Sequence, residues 1–239
     1  MTETLGAKIA ADSSRIAILD GLRACLVIPV LLYHSTPNFS GRISHIVSNP
    51  FTSVSIFLVL SGYLNTSILL RGLERSGSLD VKGFYRRRAI RLLPALAVLV
   101  TLWLLYMLTL SPLHLSAERL ASSALIQLAF ATNIEMASRP MADWRFWNGF
   151  GHLWSLALEG QFYLVLPLLL ASTKARVRLL VIALILLTIL CAIHRALLWH
   201  DQADFWRVYV ATDTRIDALL TGSLFALLLK AVPGARTTL

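Results

Sequence analysis

The sequence has 239 residues, of which 56% are hydrophobic and only 15% are charged, and its mean hydropathy is +0.68. This composition excludes an ordinary soluble domain and favours a chain that crosses a bilayer several times. The formal net charge of +9 could suit nucleic-acid binding. However, the basic residues lie mainly between apolar runs, where the positive-inside rule explains them. We therefore expect the lipid bilayer as a partner and expect no nucleic acid.

The apolar runs predict an all-α, polytopic membrane helix bundle of about six spans. The predicted spans lie near 16–35, 51–70, 89–110, 151–172, 179–199 and 216–232. They form one membrane domain over residues 15–232, between a cytoplasmic N-terminal segment, 1–14, and a cytoplasmic tail, 233–239. The first apolar run has no small-residue cleavage pattern, so we interpret it as a retained span rather than a signal peptide.

The orientation follows from a basic cluster between Arg71 and Arg91, where seven Lys or Arg residues mark the cytoplasmic side. Residues 111–150 then form an outer-face excursion. Within it, the run from Leu120 to Ile134 is only fifteen residues long and polar, too short for a full crossing. Whether it re-enters the membrane stays open; if it does, its backbone must be buried in protein or face water.

The first predicted span carries two ionisable residues, Arg23 and His34. Their spacing of eleven residues returns to within about 20° of the same helix face and separates them by ~16 Å. An ionisable residue inside a membrane is a functional hypothesis by default. The alternatives are that Arg23 snorkels to the inner headgroups and that His34 is an interfacial histidine.

A second candidate pair, Arg87 and Arg91, shares a helix face because the two residues are four apart. Guanidinium groups at a membrane edge can bind phosphate bidentately. Attraction to anionic lipid explains the pair equally well. The dipeptide Ser61-Gly62 allows close helix approach, and packing alone would account for it.

The fourth predicted span contains His152 and Glu159, seven residues apart and so about 10 Å from each other on one face. Glu159 is costly in lipid and should point into the bundle, although a structural ion pair would also satisfy it. Later in the chain, Asp213 and Asp217 lie one turn apart while Arg215 points elsewhere. Cys25 and Cys191 show no CxxC spacing, and no metal site is expected.

Five sequence blocks, in order, resemble the acyltransferase type 3 family of polytopic membrane O-acyltransferases, which modify bacterial surface polysaccharides and other hydroxyl-bearing acceptors. The blocks are Leu-Asp-Gly-Leu-Arg (19–23) with His34, Phe-Leu-Val-Leu-Ser-Gly-Tyr-Leu (57–64), Phe-Tyr-Arg-Arg-Arg-Ala-Ile-Arg-Leu-Leu-Pro (84–94), His-Leu-Trp-Ser-Leu-Ala-Leu-Glu (152–159) and Thr-Asp-Thr-Arg-Ile-Asp-Ala-Leu (212–219).

The resemblance implies a multi-pass protein of the bacterial inner membrane with its N-terminus in the cytoplasm. It implies transfer of an acyl group, with acetyl favoured, from a cytoplasmic acyl-CoA donor to a carbohydrate acceptor, and no permanently bound cofactor. The residues it singles out are catalytic His34, Glu159 and His152; donor-binding Arg23, Arg87 and Arg91; and supporting Asp20, Ser61, Gly62, Trp154, Ser155, Asp213, Arg215 and Asp217. His34 titrates near neutrality and suits a general base or a transient acyl acceptor, between which the sequence does not choose.

Two features depart from the family pattern. Gly160 stands where the family usually has a second acidic or similarly large residue. Members also generally have about ten spans, so we expect a truncated chain or a partner that supplies the missing helices. The competing hypothesis is a non-catalytic membrane transport or scaffold protein, including an inactive truncated homologue.

Overall fold

The computed structural model describes residues 18–19, 21–32, 50–111, 115–138, 150–172, 176–201 and 203–231. Over these ranges the regular structure is helical and contains no strand, which confirms the predicted all-α membrane helix bundle. The helices are α1 (Gly21–Leu32), α2 (Pro50–Ser76), α3 (Val81–Thr109), α4 (Ala117–Leu128), α5 (Thr132–Ala137), α6 (Trp154–Ser172), α7 (Val177–His200), α8 (Phe205–Val210), α9 (Thr212–Arg215) and α10 (Asp217–Ala231). A 3₁₀ turn, Gly151–Leu153, precedes α6.

Four of these helices, α2, α3, α6 and α7, are long and apolar enough to cross a membrane. The first two are longer than the predicted spans. α2 has 27 residues, or about 40 Å, against an apolar layer of ~30 Å. α3 begins at Val81 because the Asp80 side chain caps it, accepting a hydrogen bond from the Gly83 N–H at 2.8 Å. Much of the basic segment between the two spans is therefore helical.

The long helices differ in their surroundings. α3 and α7 expose large apolar side chains along their length, as expected for helices that face lipid: Val98, Leu102, Leu105, Ile182, Leu186 and Leu190. α2, α6 and α10 instead supply fully buried leucines, among them Leu58, Leu158 and Leu219. The three central helices therefore form the core on which polar side chains can be held away from lipid.

The closest helix contact in this core joins α2 to α10. A Cβ atom on Gly62 would lie 2.0 Å from the Leu219 carbonyl oxygen, and one on Gly222 would lie 1.9 Å from that of Val59. The two backbones touch because both glycines lack a side chain, as in membrane helix pairs that pack through small residues. Beside this contact, the Thr66 hydroxyl donates to Ser223 Oγ at 2.9 Å.

The predicted outer excursion contains α4 and α5, of 12 and 6 residues, neither long enough to span the apolar layer. They meet in a tight turn at Phe130, which has a φ of +53°. The Phe130 ring lies against Gly160 of α6, where an added Cβ would come within 2.5 Å of the ring. The space that a larger residue would fill in the family pattern is thus occupied by an aromatic ring from the excursion.

Candidate active site

The site is built around Glu159, whose side chain is 4% exposed in the middle of the bundle. A buried carboxylate requires a charged partner, because the cost of removing it from water is several kcal/mol. That partner is Arg23 of α1, with 3.3 Å between Arg23 Nη2 and Glu159 Oε1. The helix of the first predicted span is therefore joined to α6 by an ion pair.

Arg23 is held by α2 as well. Its Nη2 donates to Ser61 Oγ at 3.0 Å, and its guanidinium lies 4.6 Å from the centre of the Phe57 ring. Its Nε is buried and has no hydrogen-bond partner among the described residues. Three helices therefore converge on one guanidinium group, whose Nε–H can donate to a further acceptor.

A second cation, Arg88 of α3, approaches the same carboxylate. Its guanidinium lies 5.0 Å from the centre of the Tyr163 ring and 5.5 Å from that of Phe84. Tyr163 follows Glu159 by one helical turn and is also buried. Arg88 itself interacts electrostatically with both Glu159 and Arg23. We refer to Arg23, Ser61, Arg88, Glu159 and Tyr163 as the central cluster.

A ring of three hydrogen bonds holds α6 close to this cluster. Gln161 Nε2 donates to Asn133 Oδ1 at 2.8 Å, and Asn133 Nδ2 donates to Thr212 Oγ1 at 2.8 Å. Thr212 Oγ1 closes the ring by donating to Gln161 Oε1 at 2.6 Å. Gln161 Nε2 also donates to the Phe130 carbonyl at 2.8 Å. The ring fastens α5, α6 and α9 together, two residues beyond Glu159, and so fixes the position of that helix.

Further ion pairs lie where α7 ends and α9 begins. Asp213 accepts from Arg207 at 2.9 and 2.6 Å and contacts His194 Nε2 at 3.0 Å. Partial burial acts to raise the pKa of the Asp213 carboxyl, but the hydrogen bonds and charges of Arg207 and His194 outweigh it and lower that pKa below its ordinary value. Asp217 accepts from Arg195 at 2.7 Å.

With this geometry in view, the comparisons with known proteins decide the family. A family model described as an acyltransferase domain matches residues 16–230. The chain belongs to the acyltransferase type 3 family. It is 34% identical over 224 residues to the O-acetyltransferase OatA of Staphylococcus aureus, a match that covers 87% of this chain and 34% of that protein.

A similar match relates this family member to the peptidoglycan O-acetyltransferase OatA of Listeria monocytogenes, with 36% identity over 217 residues. That alignment covers 87% of this chain and 33% of the Listeria protein. The chain thus spans about a third of the length of the curated relatives it matches. No solved structure gives a significant match.

Each of the five family blocks contributes to the central cluster or to its support. The blocks at 19–23, 57–64, 84–94 and 152–159 supply Arg23, Ser61, Arg88 and Glu159. The block at 212–219 lies behind them: its Leu219 carbonyl packs on Gly62, and its Thr212 belongs to the hydrogen-bond ring. Residues far apart in the family's sequence pattern therefore meet at one place.

The remaining predicted residues lie around the cluster or beyond the described part of the chain. His34 and Asp20 are outside the described residues. His152 is exposed in the 3₁₀ turn, whereas Trp154 is buried and Ser155 is half-buried. The change from 3₁₀ to α geometry alters the helical phase, so the shared face predicted for His152 and Glu159 does not give the two side chains equal burial.

Asp213 and Asp217, which lie one turn apart in the sequence, both contact α7. Arg215 points instead to α2, where it donates to Ser55 Oγ at 2.8 Å. Over the described ranges, no group of three or more His, Cys, Asp or Glu side chains is arranged to hold a metal ion.

The arginines of α3 divide differently from the predicted donor-binding pair. Arg87 and Arg91 are both exposed, and Arg87 pairs with Asp80 at 3.3 Å in an ion pair whose members are more than half exposed. Sequence reasoning did not single out Arg88, which turns inward. The signal was present: Arg88 follows buried Phe84 by four residues and continues in steps of four towards buried Leu96 and Val100.

Proposed function

We propose that this chain is the membrane region of an O-acyltransferase that moves an acetyl group from acetyl-CoA to a hydroxyl of a cell-wall polysaccharide. Its family membership and its similarity to proteins named peptidoglycan O-acetyltransferases support the reaction class. The donor, the inner membrane and the cytoplasmic N-terminus are parts of the proposal that rest on the resemblance and on the basic cluster after α2.

The observation that carries the proposal is the central cluster, which brings two guanidinium groups and one carboxylate together inside the bundle. Its members carry a formal excess of one positive charge, which is costly within an apolar layer. A fixed positive charge of this kind lowers the energy of an oxyanion such as the one that develops on a thioester carbonyl during acyl transfer. The proposed reaction therefore gives a reason for the costly positive charge, because that charge stabilises the oxyanion formed during acyl transfer.

In the proposed reaction the acceptor hydroxyl oxygen bonds to the acyl carbon, and the carbon–sulfur bond of the thioester breaks. His34 takes the hydroxyl proton and gives it to the leaving thiolate, which departs as free coenzyme A and leaves His34 neutral again. In the alternative role for His34, its ring nitrogen accepts the acyl group first and passes it to the hydroxyl. Exposed Arg87 and Arg91 would bind the phosphates of the donor. Because Arg23 is already bonded to Glu159 and Ser61, we assign it to holding Glu159.

The test is acetyl transfer from labelled acetyl-CoA to a panel of surface glycans by the purified chain in lipid vesicles. A general base typically contributes 10²–10⁴-fold, so His34→Ala should lose at least about 100-fold in transfer while acetyl-CoA affinity stays unchanged. If the isolated chain is inactive, the same substitution is made in a protein that includes the additional helices. Near-normal turnover by a correctly inserted His34→Ala would reject His34 and leave His152 as the better candidate.

The competing scaffold or transport role predicts that the chain neither binds acetyl-CoA nor transfers an acetyl group. A chain that binds no acetyl-CoA and transfers no acetyl group, even when further membrane helices of the family are supplied, would favour that role.

A further inference from the structure

Arg215 is a cation whose pairing is incomplete. It lies near the N-terminal end of α2, where its Nη2 donates to Ser55 Oγ at 2.8 Å and its guanidinium lies 4.9 Å from the centre of the Tyr209 ring. Its Nε is buried and finds no hydrogen-bond partner within the described part of the chain. A hydroxyl and an aromatic face stabilise a guanidinium group, but neither neutralises its charge.

The nearby carboxylates are engaged elsewhere. Asp217, two residues along the chain, pairs with Arg195 at 2.7 Å, and Asp213 pairs with Arg207 at 2.6 Å. Within the described ranges, no carboxylate lies at ion-pair distance from Arg215. Among the residues that the structure describes, the neighbouring arginines of α7 and α8 thus each have an acidic partner, and Arg215 has none.

An aromatic wall stands beside this cation. Phe205 stacks on Tyr209 with ring centres 5.5 Å apart and an interplanar angle of 8°, and Phe51 meets Tyr209 edge-on at 4.7 Å. Phe205 is 42% exposed. Arg215 lies over the Tyr209 ring and Phe205 stacks on it, so the aromatic surface offered to a ligand is that of Phe205. Such a surface accepts the apolar face of a sugar ring, while a guanidinium group binds a carboxylate through paired N–H donors.

We propose that Arg215, with Ser55 and the aromatic wall, is an acceptor subsite that binds a saccharide carrying a carboxylate. The inference rests on the proposed function and gives its acceptor a chemical class. Ser55 precedes Ser61 of the central cluster by six residues, or about 9 Å along α2. An acidic sugar held at Arg215 would therefore place a neighbouring part of the same glycan towards the cluster from the outer side.

The experiment measures equilibrium binding of a labelled disaccharide that carries one carboxylate, and of the same disaccharide with that group converted to an amide. The protein is the full chain in phosphatidylcholine vesicles. The wild type should bind the carboxylate form at least about ten-fold more tightly, because a charge-assisted pair is lost with the amide. Arg215→Gln should bind both forms equally, whereas Arg215→Lys should keep part of the preference.

The matched control is Arg207→Gln, which removes a paired arginine from the same end of the bundle while its partner Asp213 keeps the contact with His194. It should leave the ratio of the two affinities unchanged. Equal binding of the two sugars by the wild type would overturn the inference, and this comparison does not depend on whether Arg215→Gln folds. Adding an anionic lipid provides a second arm. If the lipid headgroup abolished sugar binding by the wild type and had no effect on Arg215→Lys or Arg215→Gln, the subsite would belong to lipid and the inference would fail.

Binding separates this inference from the proposed function. Discrimination between the two sugars without any acetyl transfer would support the subsite and count against the enzyme. Acetyl transfer to both sugars at equal rates and affinities would support the enzyme and reject the subsite.

Discussion

The pair of Arg23 and Glu159 is expensive as a structural device. Desolvation of each ion costs several kcal/mol, and a well-packed apolar pair of similar volume is often equally stable or more stable. Removing only one partner is different, since it leaves an uncompensated charge inside the bundle. The free energy of unfolding and the catalytic rate should therefore respond differently to single and double substitutions.

Arg23→Met and Glu159→Leu should each lower the free energy of unfolding by roughly 3–5 kcal/mol, and the double variant should recover most of that loss. All three should transfer no acetyl group, because the charges and not the packing serve the reaction. Unfolding in lipid or detergent and labelled acetyl transfer would be measured together. Wild-type turnover by the stable double variant would contradict the role given to this pair.

Neighbouring arginines on α3 provide a matched comparison. Arg88→Ala should reduce acetyl transfer and stability, since it removes the second cation from Glu159 and Tyr163. Arg87→Ala removes only an exposed ion pair, worth about 0–1 kcal/mol, and should leave stability unchanged.

If Arg87 and Arg91 hold the donor phosphates, Arg91→Ala should weaken acetyl-CoA binding by about ten-fold or more, without the stability loss of Arg88→Ala.

An unchanged acetyl-CoA affinity in the Arg87→Ala/Arg91→Ala double variant would remove the phosphate role from that pair. Equal stability of Arg88→Ala and Arg87→Ala would show that the inward orientation of Arg88 does not matter for folding.

At the scale of single elements, the dipeptide Ser61-Gly62 illustrates how one helix serves two neighbours. Ser61 faces α1 and accepts from Arg23, whereas Gly62 faces α10 and touches the Leu219 carbonyl. Adjacent residues on a helix point about 100° apart, so one position can hold the site while the next sets the helix spacing. The packing explanation considered from sequence thus accounts for one residue of the pair.

Gly62→Ala should therefore separate α2 from α10 and lower stability by roughly 1–3 kcal/mol or more, because its Cβ would meet backbone atoms that cannot rotate away. Gly72→Ala is the control on the same helix, since a Cβ there meets no atom within 4 Å. That substitution should be neutral or stabilise by about 0.5–1 kcal/mol through helix propensity. Thermal unfolding in one detergent would compare them, and equal midpoints would refute the close contact.

The sequence was informative about elements where apolar runs are long, and less so at their ends. The length of α2 and the start of α3 depend on local hydrogen bonds such as the Asp80 cap, which hydropathy does not detect. The inward position of Glu159 could be predicted from the cost of its charge. Its partner could not, because pairing between Arg23 and Glu159 depends on how distant helices pack.

At the scale of the whole molecule, α2, α6 and α10 form the centre, and α3 and α7 expose apolar surface at the periphery. The short connection between α2 and α3 carries basic residues on both sides, which predicts a cytoplasmic position. Passage through α3 and the outer excursion, followed by α6 and α7, then places the end of α7 outside.

Single cysteines would test this orientation in a background without Cys25 and Cys191, the two cysteines of the chain. Ser78→Cys should react with a membrane-impermeant thiol reagent only from the cytoplasmic side, and Asp204→Cys only from the outer side. Both positions are exposed in the protein. Labelling of the two cysteines from the same side would reject this topology.

The backbone contact between α2 and α10 has a consequence for synthesis in the cell. Gly62 and Gly222 join the two helices, and 159 residues lie between these two glycines in the chain. α2 therefore enters the membrane long before its partner has been translated. Until then the buried hydroxyl of Thr66 lacks Ser223, the residue of α10 to which it donates. An uncovered polar group is costly in hydrocarbon. We therefore expect α2 to stay in contact with the insertion machinery until α10 has been synthesised, and to move into lipid together with it.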